Sequence, residues 1–150
     1  MIIEDSKDKV LQLIQNQLNP DKFENLVRWY FQKAGATSVH IPAKNERDKK
    51  GDADIVATFE PIKTTIYVQA KHHRKITGDW GLEQVEEYKS HKDEMDDDGN
   101  TKIAWVVTSG DGFSDECMSK AKEYNVVLID GTELASMLLN AGISSMDNAV

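Results

Sequence analysis

Cysteine is almost absent from this chain. Cys117 stands alone, which excludes an internal disulfide framework and any zinc site built from several cysteines. Long apolar runs are missing as well, and none approaches the roughly 20 residues that a membrane-spanning helix needs. The opening residues lack the basic start, apolar middle and small-residue cleavage site of a signal peptide. Histidine is sparse, and of the four (His40, His72, His73, His91) only the adjacent pair His72-His73 has any metal-like spacing. Neighbouring residues on a strand face opposite ways, so that pair makes a poor zinc site. No internal repeat is present. These absences lead to the expectation of a cytoplasmic protein with no membrane partner.

Positive charge is also in short supply. The chain carries 18 Lys and Arg against 26 Asp and Glu, a net charge of −8, which argues against non-specific polyanion binding by the whole surface. The charge is uneven, however. Residues 42–75 hold eight Lys and Arg against five Asp and Glu, whereas residues 79–98 hold two against nine. A basic neighbourhood therefore sits inside an acidic protein. At 150 residues the chain is expected to form one domain, 1–150, with a real core.

The basic neighbourhood contains the most informative stretch, residues 51–75. Ile55, Ala57 and Phe59 alternate with Val56 and Thr58, the period of a strand. Residues 64–71 are rich in β-branched and aromatic types, and Glu60-Pro61-Ile62-Lys63 supplies a turn between the two runs. A four-residue loop would pair Phe59 with Thr64 and bring Asp54 opposite Gln69. Strand alternation then points Gln69 and Lys71 to one face and Ala70 to the other. A carboxylate, an amide and an ammonium gather at one end of a hairpin.

The rest of the chain frames this hairpin. Residues 5–18 are expected to form a helix capped by Asp5 or Ser6, with Val10, Leu11, Ile14 and Leu18 at helical spacing. Asn19 reads as the N-cap and Pro20 as the first residue of a second helix. Its Phe23, Leu26, Val27, Tyr30 and Phe31 trace one apolar face, and Gly35 is its expected C-cap. A short strand over 37–41 and a polar loop over 43–51 lead into the hairpin. Beyond Lys75, a loop holding Gly78 and Gly81 precedes a helix over 82–92 with Leu82, Val85 and Tyr88 as its stripe. The acidic run 93–100 reads as a solvated turn in which like charges oppose order.

Residues 103–108 are continuously apolar and β-branched, the pattern of a central strand buried on both faces. A loop over 109–112 follows, then a helix capped by Ser114 or Asp115 that runs to about residue 124. A buried strand over 126–129 and a last helix over 133–140, behind an Asp130-Gly131-Thr132 cap, complete the chain. The order α-α-β-β-β-α-β-α-β-α implies an α/β fold: a mixed sheet of about five strands with helices on both faces.

Laid out in this way, the motifs resemble the Mrr-like branch of the restriction endonuclease-like nucleases, the PD-(D/E)xK fold. Phe23, Glu24 and Val27 look like that family's early helix with its embedded glutamate. The run from Gly51 through Asp52, Ala53 and Asp54 to Ile55 is similar to the family's glycine- and aspartate-rich entry to the catalytic strand. Gln69-Ala70-Lys71 looks like the branch's QxK. Val107-Thr108-Ser109-Gly110 with Phe113, Ser114 and Ala121 resembles a later strand-loop-helix signature, and Leu128-Ile129-Asp130-Gly131 with Leu134 resembles the closing block. The aspartate segment is shorter than the usual GDGGxD form, which leaves Asp52 and Asp54 able to exchange roles.

The resemblance implies a three-layer α/β/α restriction endonuclease-like fold and an Mg²⁺-dependent endodeoxyribonuclease in prokaryotic restriction or defence, with Mn²⁺ an accepted substitute. Mg²⁺ is hard and takes few protein oxygens. Asp54, the Gln69 side-chain oxygen and the Ala70 carbonyl are the expected metal ligands, with Glu24 as the compensating carboxylate. A solvated Glu24 pairing with Arg28 one turn on is the plainer alternative for that residue.

Lys71 is expected to orient the attacking water and steady the phosphate, and otherwise to snorkel into solvent. Gln84 and Tyr88 resemble the QxxxY element of RecB-like relatives, although Tyr88 fits core packing equally well. His72, His73, Arg74 and Lys75 are the expected phosphate contacts. Ser109 and Ser114 have no histidine-acid partner and read as loop and cap residues. Trp80 is the tryptophan to consider for base stacking.

DNA is the expected partner. So little surface on a net-acidic chain leads to the further expectation of a fragment or module that works as a homodimer or larger oligomer with a separate DNA-targeting domain. Two other readings stand beside this one: a nuclease-fold module that binds nucleic acid or a protein without cutting, and a junction-resolving or repair nuclease.

Overall fold

Asn19 and Pro20 divide the first two helices, α1 (Ile2–Gln17) and α2 (Pro20–Lys33), in the computed structural model, which describes residues 2–43 and 49–150. The Asn19 side chain accepts the Lys22 backbone N–H at 2.8 Å, and Pro20 occupies the first turn, where its missing N–H costs nothing. α1 starts at Ile2 rather than behind an Asp5 or Ser6 cap. Neither Gly nor Pro interrupts its first residues, and acidic residues suit a helix N-terminus. The C-cap of α2 is Ala34, and Gly35 follows it with φ +100°.

The chain then forms β1 (Ser38–His40), β2 (Ile55–Phe59) and β3 (Thr64–Lys71). A 3-10 turn over Glu60–Ile62 and a left-handed Lys63 join β2 to β3, and the register pairs Phe59 with Thr64 and Ile55 with Val68. The four-residue loop expected from the sequence is therefore the one observed. After β4 (Ile76–Thr77) come α3 (Trp80–Met95), β5 (Thr101–Thr108), β6 (Gly112–Phe113), α4 (Asp115–Tyr124), β7 (Val127–Ile129) and α5 (Gly131–Asn140). Ser114 and Asp130 cap α4 and α5 by accepting the Cys117 and Glu133 backbone N–H groups.

The main sheet runs β1-β2-β3-β5-β7, with antiparallel pairing as far as β3 and parallel pairing beyond it. Ile14 of α1, Phe23 and Leu26 of α2, and Leu134 and Leu138 of α5 pack with Ile55, Ile66 and Val68 on one face. Leu82 and Val85 of α3 and Cys117 of α4 pack with Val56, Tyr67 and Val106 on the other. The result is the expected three-layer α/β/α arrangement. Among the described residues no helix is long and apolar enough to cross a membrane.

Three local expectations are corrected. Residues 76–77 and 112–113 are not plain loop but pair as a two-stranded parallel sheet, β4-β6. α3 begins two residues earlier than expected and runs to Met95. The acidic stretch beyond it is anchored rather than simply solvated, because Asp98 accepts the Lys102 ammonium at 2.9 Å and the Asn100 N–H at 3.0 Å. The loop expected over 43–51 lies mostly outside the described residues, including its basic members Lys44 and Arg47.

Candidate active site

The site is built where β2 begins and β3 ends. Ile55 pairs with Val68, so the residue before it, Asp54, reaches across towards Gln69 and Ala70. Its backbone N–H donates to the Val68 carbonyl at 2.8 Å, and its Oδ2 accepts the Ala70 N–H at 2.8 Å. A side chain thus takes over from the backbone ladder at the point where β2 runs out. Burial raises the Asp54 pKa above the ordinary carboxylate value. The Ala70 N–H opposes that rise, Asp52 adds to it, and Lys71 and Lys49 work against it.

Asp52 has a different setting. Its carboxylate meets the Lys49 ammonium at 2.6 Å, and its backbone N–H donates to the Gln84 carbonyl on α3. Of the two aspartates, Asp54 is the one turned onto β3.

Gln69 is 2% exposed, and its Oε1 has no hydrogen-bond partner. A buried acceptor without a donor costs free energy on the order of 1–3 kcal/mol, so this oxygen calls for a hydrogen-bond donor or a cation. An oxygen-seeking divalent cation fits this donor set of one carboxylate, one amide oxygen and the Ala70 carbonyl. Among the described residues no three His, Cys, Asp or Glu side chains converge on a metal position.

Lys71, half-buried, lies on the Gln69 face of the sheet, with its Nζ 4.4 Å from the centre of the Trp80 ring. The first turn of α3 closes on both side chains. A Cβ on Gly81 would lie 2.9 Å from Lys71 Cε and 3.1 Å from Gln69 Cγ. Glu24 is half-buried on α2, the helix that covers the opposite face. Its neighbour Phe23 stacks on the His72 ring at 5.3 Å, which ties this turn of α2 to the end of β3.

The residues expected to meet phosphate divide. His72 turns inward: one ring nitrogen meets the Leu18 carbonyl at 2.7 Å and the other meets Ser109 Oγ at 2.8 Å. Alternation along the strand explains this, since position 72 falls on the α1/α2 face, opposite Lys71. His73 is exposed, but its Nε2 is 2.8 Å from Thr77 Oγ1. Arg74 and Lys75 are exposed.

On α3, Gln84 is half-buried, and Tyr88, 3% exposed, packs edge-on against Tyr67 at 5.5 Å as part of the core. Sequence reasoning missed Gly81 as a site residue. A glycine there was visible, but its closeness to Lys71 depends on how α3 docks.

These elements define a restriction endonuclease-like α/β/α domain. A search of curated proteins finds no match, whereas a family comparison matches residues 15–138 to the restriction endonuclease family Mrr_cat. The chain belongs to that family. Among solved structures it is similar to a protein of unknown function, AF1548 (16% identity, TM-score 0.64, covering 86% of this chain and 70% of that one). It is also similar to the DNA modification-dependent restriction endonuclease AspBHI (14%, 0.64, 97% and 38%) and to the MspJI restriction endonuclease in complex with a 27-mer oligonucleotide (19%, 0.53, 97% and 34%). At these identities the structural likeness speaks for the fold. The chain spans little more than a third of each of the two endonucleases.

Proposed function

We propose that this domain is a divalent-cation-dependent endodeoxyribonuclease acting in restriction, with Mg²⁺ as its cation and Mn²⁺ as an accepted substitute. The observation that carries the reading is a desolvated Asp54 carboxylate bonded to the Ala70 N–H at the strand end where the adjacent residue, Gln69, buries an Oε1 with no hydrogen-bond partner. Asp54, Gln69 and the Ala70 carbonyl would hold the ion, and Glu24 would add the second carboxylate. When bound, the cation supplies Lewis-acid charge against the negative charge that builds on the phosphate during hydrolysis.

The chain's own groups do the rest. The Lys71 ammonium, on the same face as Gln69, donates hydrogen bonds to the scissile phosphate and orients the attacking water. Arg74 and Lys75, exposed just past β3, contact flanking phosphates. The acidic remainder of the surface disfavours broad DNA binding. Recognition then rests on a second copy of the chain or on a separate targeting domain, in keeping with the share of AspBHI and MspJI that the chain spans. Such a protein would work on DNA in the cytoplasm.

Incubation of wild type and Lys71→Ala with supercoiled plasmid tests the reading. Cleavage by wild type with Mg²⁺, lost with chelator and in the variant, is the expected result. No cleavage by wild type with Mg²⁺ or Mn²⁺ would sink it. A binding module that does not cut is the second reading, favoured by the neutral amide at position 69. DNA retention without cleavage would support that module, and preference for branched over linear DNA would point to a junction-resolving enzyme.

A further inference from the structure

Trp80 is 59% exposed, an unusual setting for the largest apolar side chain. It is not loosely held. The preceding residue, Asp79, accepts the Lys120 ammonium of α4 at 2.7 Å, and Glu83 one turn on pairs with the same ammonium. The first turn of α3 is therefore clamped to α4 on one side. On the other, Gly81 has no side chain to push Lys71 away, and the indole lies beneath the lysine's charged end at 4.4 Å. Clamp, ring and gap fall on the successive residues Asp79, Trp80 and Gly81 at the start of α3.

We infer that Trp80 is a positioning residue for Lys71, holding the ammonium over its indole face at the mouth of the site. A lysine ammonium ends a stem of four rotatable bonds and, left alone, spreads over many rotamers. The negative face of an indole attracts a cation and narrows that spread without neutralising the charge, as a carboxylate partner would. The ammonium keeps its hydrogen-bond donors for a phosphate oxygen. This inference rests on reading Lys71 as the group that steadies the phosphate, and it goes further by naming what aims it.

The test uses the full chain with Mg²⁺ and plasmid DNA, comparing wild type with Trp80→Leu and Trp80→Phe. In the Leu variant kcat is expected to fall about 3- to 30-fold, the rate equivalent of a cation–π contact, with KM little changed. Phe, which keeps a ring, is expected to restore most of the loss. Folding should survive both changes, because the side chain lies mostly outside the core. A residue that only stacks on bases would instead raise KM and spare kcat, which overturns the inference.

A second readout needs no activity. The Lys71 Hε resonances, assigned with Lys71→Arg, are expected upfield of free lysine in wild type through the indole ring current. They should return to the free position in the Leu variant and lie between the two in the Phe variant. If wild type cleaves no DNA, the nuclease reading fails and the resonances alone decide whether Trp80 holds Lys71. Wild-type Hε signals at the free-lysine position would overturn the inference.

Discussion

Asp54 and Ala70 are joined across the hairpin, with the Asp54 carboxylate accepting the Ala70 backbone N–H at 2.8 Å. The bond fixes where the carboxylate points. It leaves the charge only partly compensated, since burial raises the Asp54 pKa more than this N–H lowers it. The strand end holds a carboxylate that the fold alone does not favour.

That imbalance predicts an inversion of stability on adding metal. A carboxyl whose folded pKa lies above its unfolded value favours folding at low pH and opposes it once pH passes the folded value. Metal-free Asp54→Asn should therefore be more stable than metal-free wild type at neutral pH. The gap should close as pH falls through the raised pKa towards the ordinary aspartate range. A divalent cation at about 100 times its Kd stabilises wild type by about 2.7 kcal/mol and leaves the variant unmoved. Thermal unfolding across pH, with and without Mg²⁺, measures both effects. Equal stabilisation of both proteins by Mg²⁺ would remove Asp54 from the metal site.

Gln69 supplies the complementary prediction. Gln69→Glu places a second carboxylate beside Asp54 in a buried setting, so the metal-free variant should lose stability through repulsion between like charges. The added charge should tighten Mn²⁺ binding by roughly tenfold, because affinity for hard cations follows the number of charged oxygens. Calorimetric titration with Mn²⁺ reads the affinity directly. Unchanged affinity would place the cation away from Gln69.

How much of this was legible in the sequence depends on how local each cause is. The register that sets Asp54 towards Gln69 follows from strand alternation and a four-residue turn, both visible in residues 55–71. The caps at Asn19, Ser114 and Asp130 are equally local. The β4-β6 pair was not visible, because two residues carry no periodicity and the strands pair over a separation of about 36 positions. The inward turn of His72 was also hidden. Its partners, Leu18 and Ser109, come from the end of α1 and the end of β5. Gly81 looked like a loop glycine until the docking of α3 brought it against Lys71.

Gly81→Ala separates stability from activity. Alanine gains about 0.5–1 kcal/mol over glycine in a helix, and the nearest obstacle is the flexible Lys71 stem rather than backbone. Net stability should change by less than about 1 kcal/mol. Cleavage should fall by about 100-fold, since a displacement near 1 Å of a catalytic group costs that much. Denaturant midpoints and cleavage rates taken on one preparation check the pair of outcomes. A variant that cleaves like wild type would show that Lys71 acts from another position.

Arg74 and Lys75 should act through charge alone. Replacing either with Gln is expected to weaken DNA binding uniformly across sequences and to reduce the slope of log K against log salt by about 1 each. Fluorescence anisotropy with Ca²⁺ in place of Mg²⁺, over a range of salt concentrations, gives the slope. An unchanged slope would place these side chains off the DNA path.

Gly51 is the harder constraint on the same site. Its φ is +69°, a region that L side chains rarely adopt, and a Cβ there would lie 2.3 Å from the Gln84 carbonyl oxygen and 2.6 Å from the Tyr88 nitrogen. Both obstacles are helix backbone, which cannot swing aside as the Lys71 stem can. Gly51→Ala should therefore cost at least about 2 kcal/mol, combining left-handed strain with a backbone clash. It should also loosen the Asp52 N–H bond to the Gln84 carbonyl, which holds the approach to Asp54 against α3. Mn²⁺ affinity is expected to fall along with the denaturant midpoint, in contrast to Gly81→Ala, where activity falls while stability holds. Finding full stability and full Mn²⁺ affinity in Gly51→Ala would show that this loop does not depend on its contact with α3.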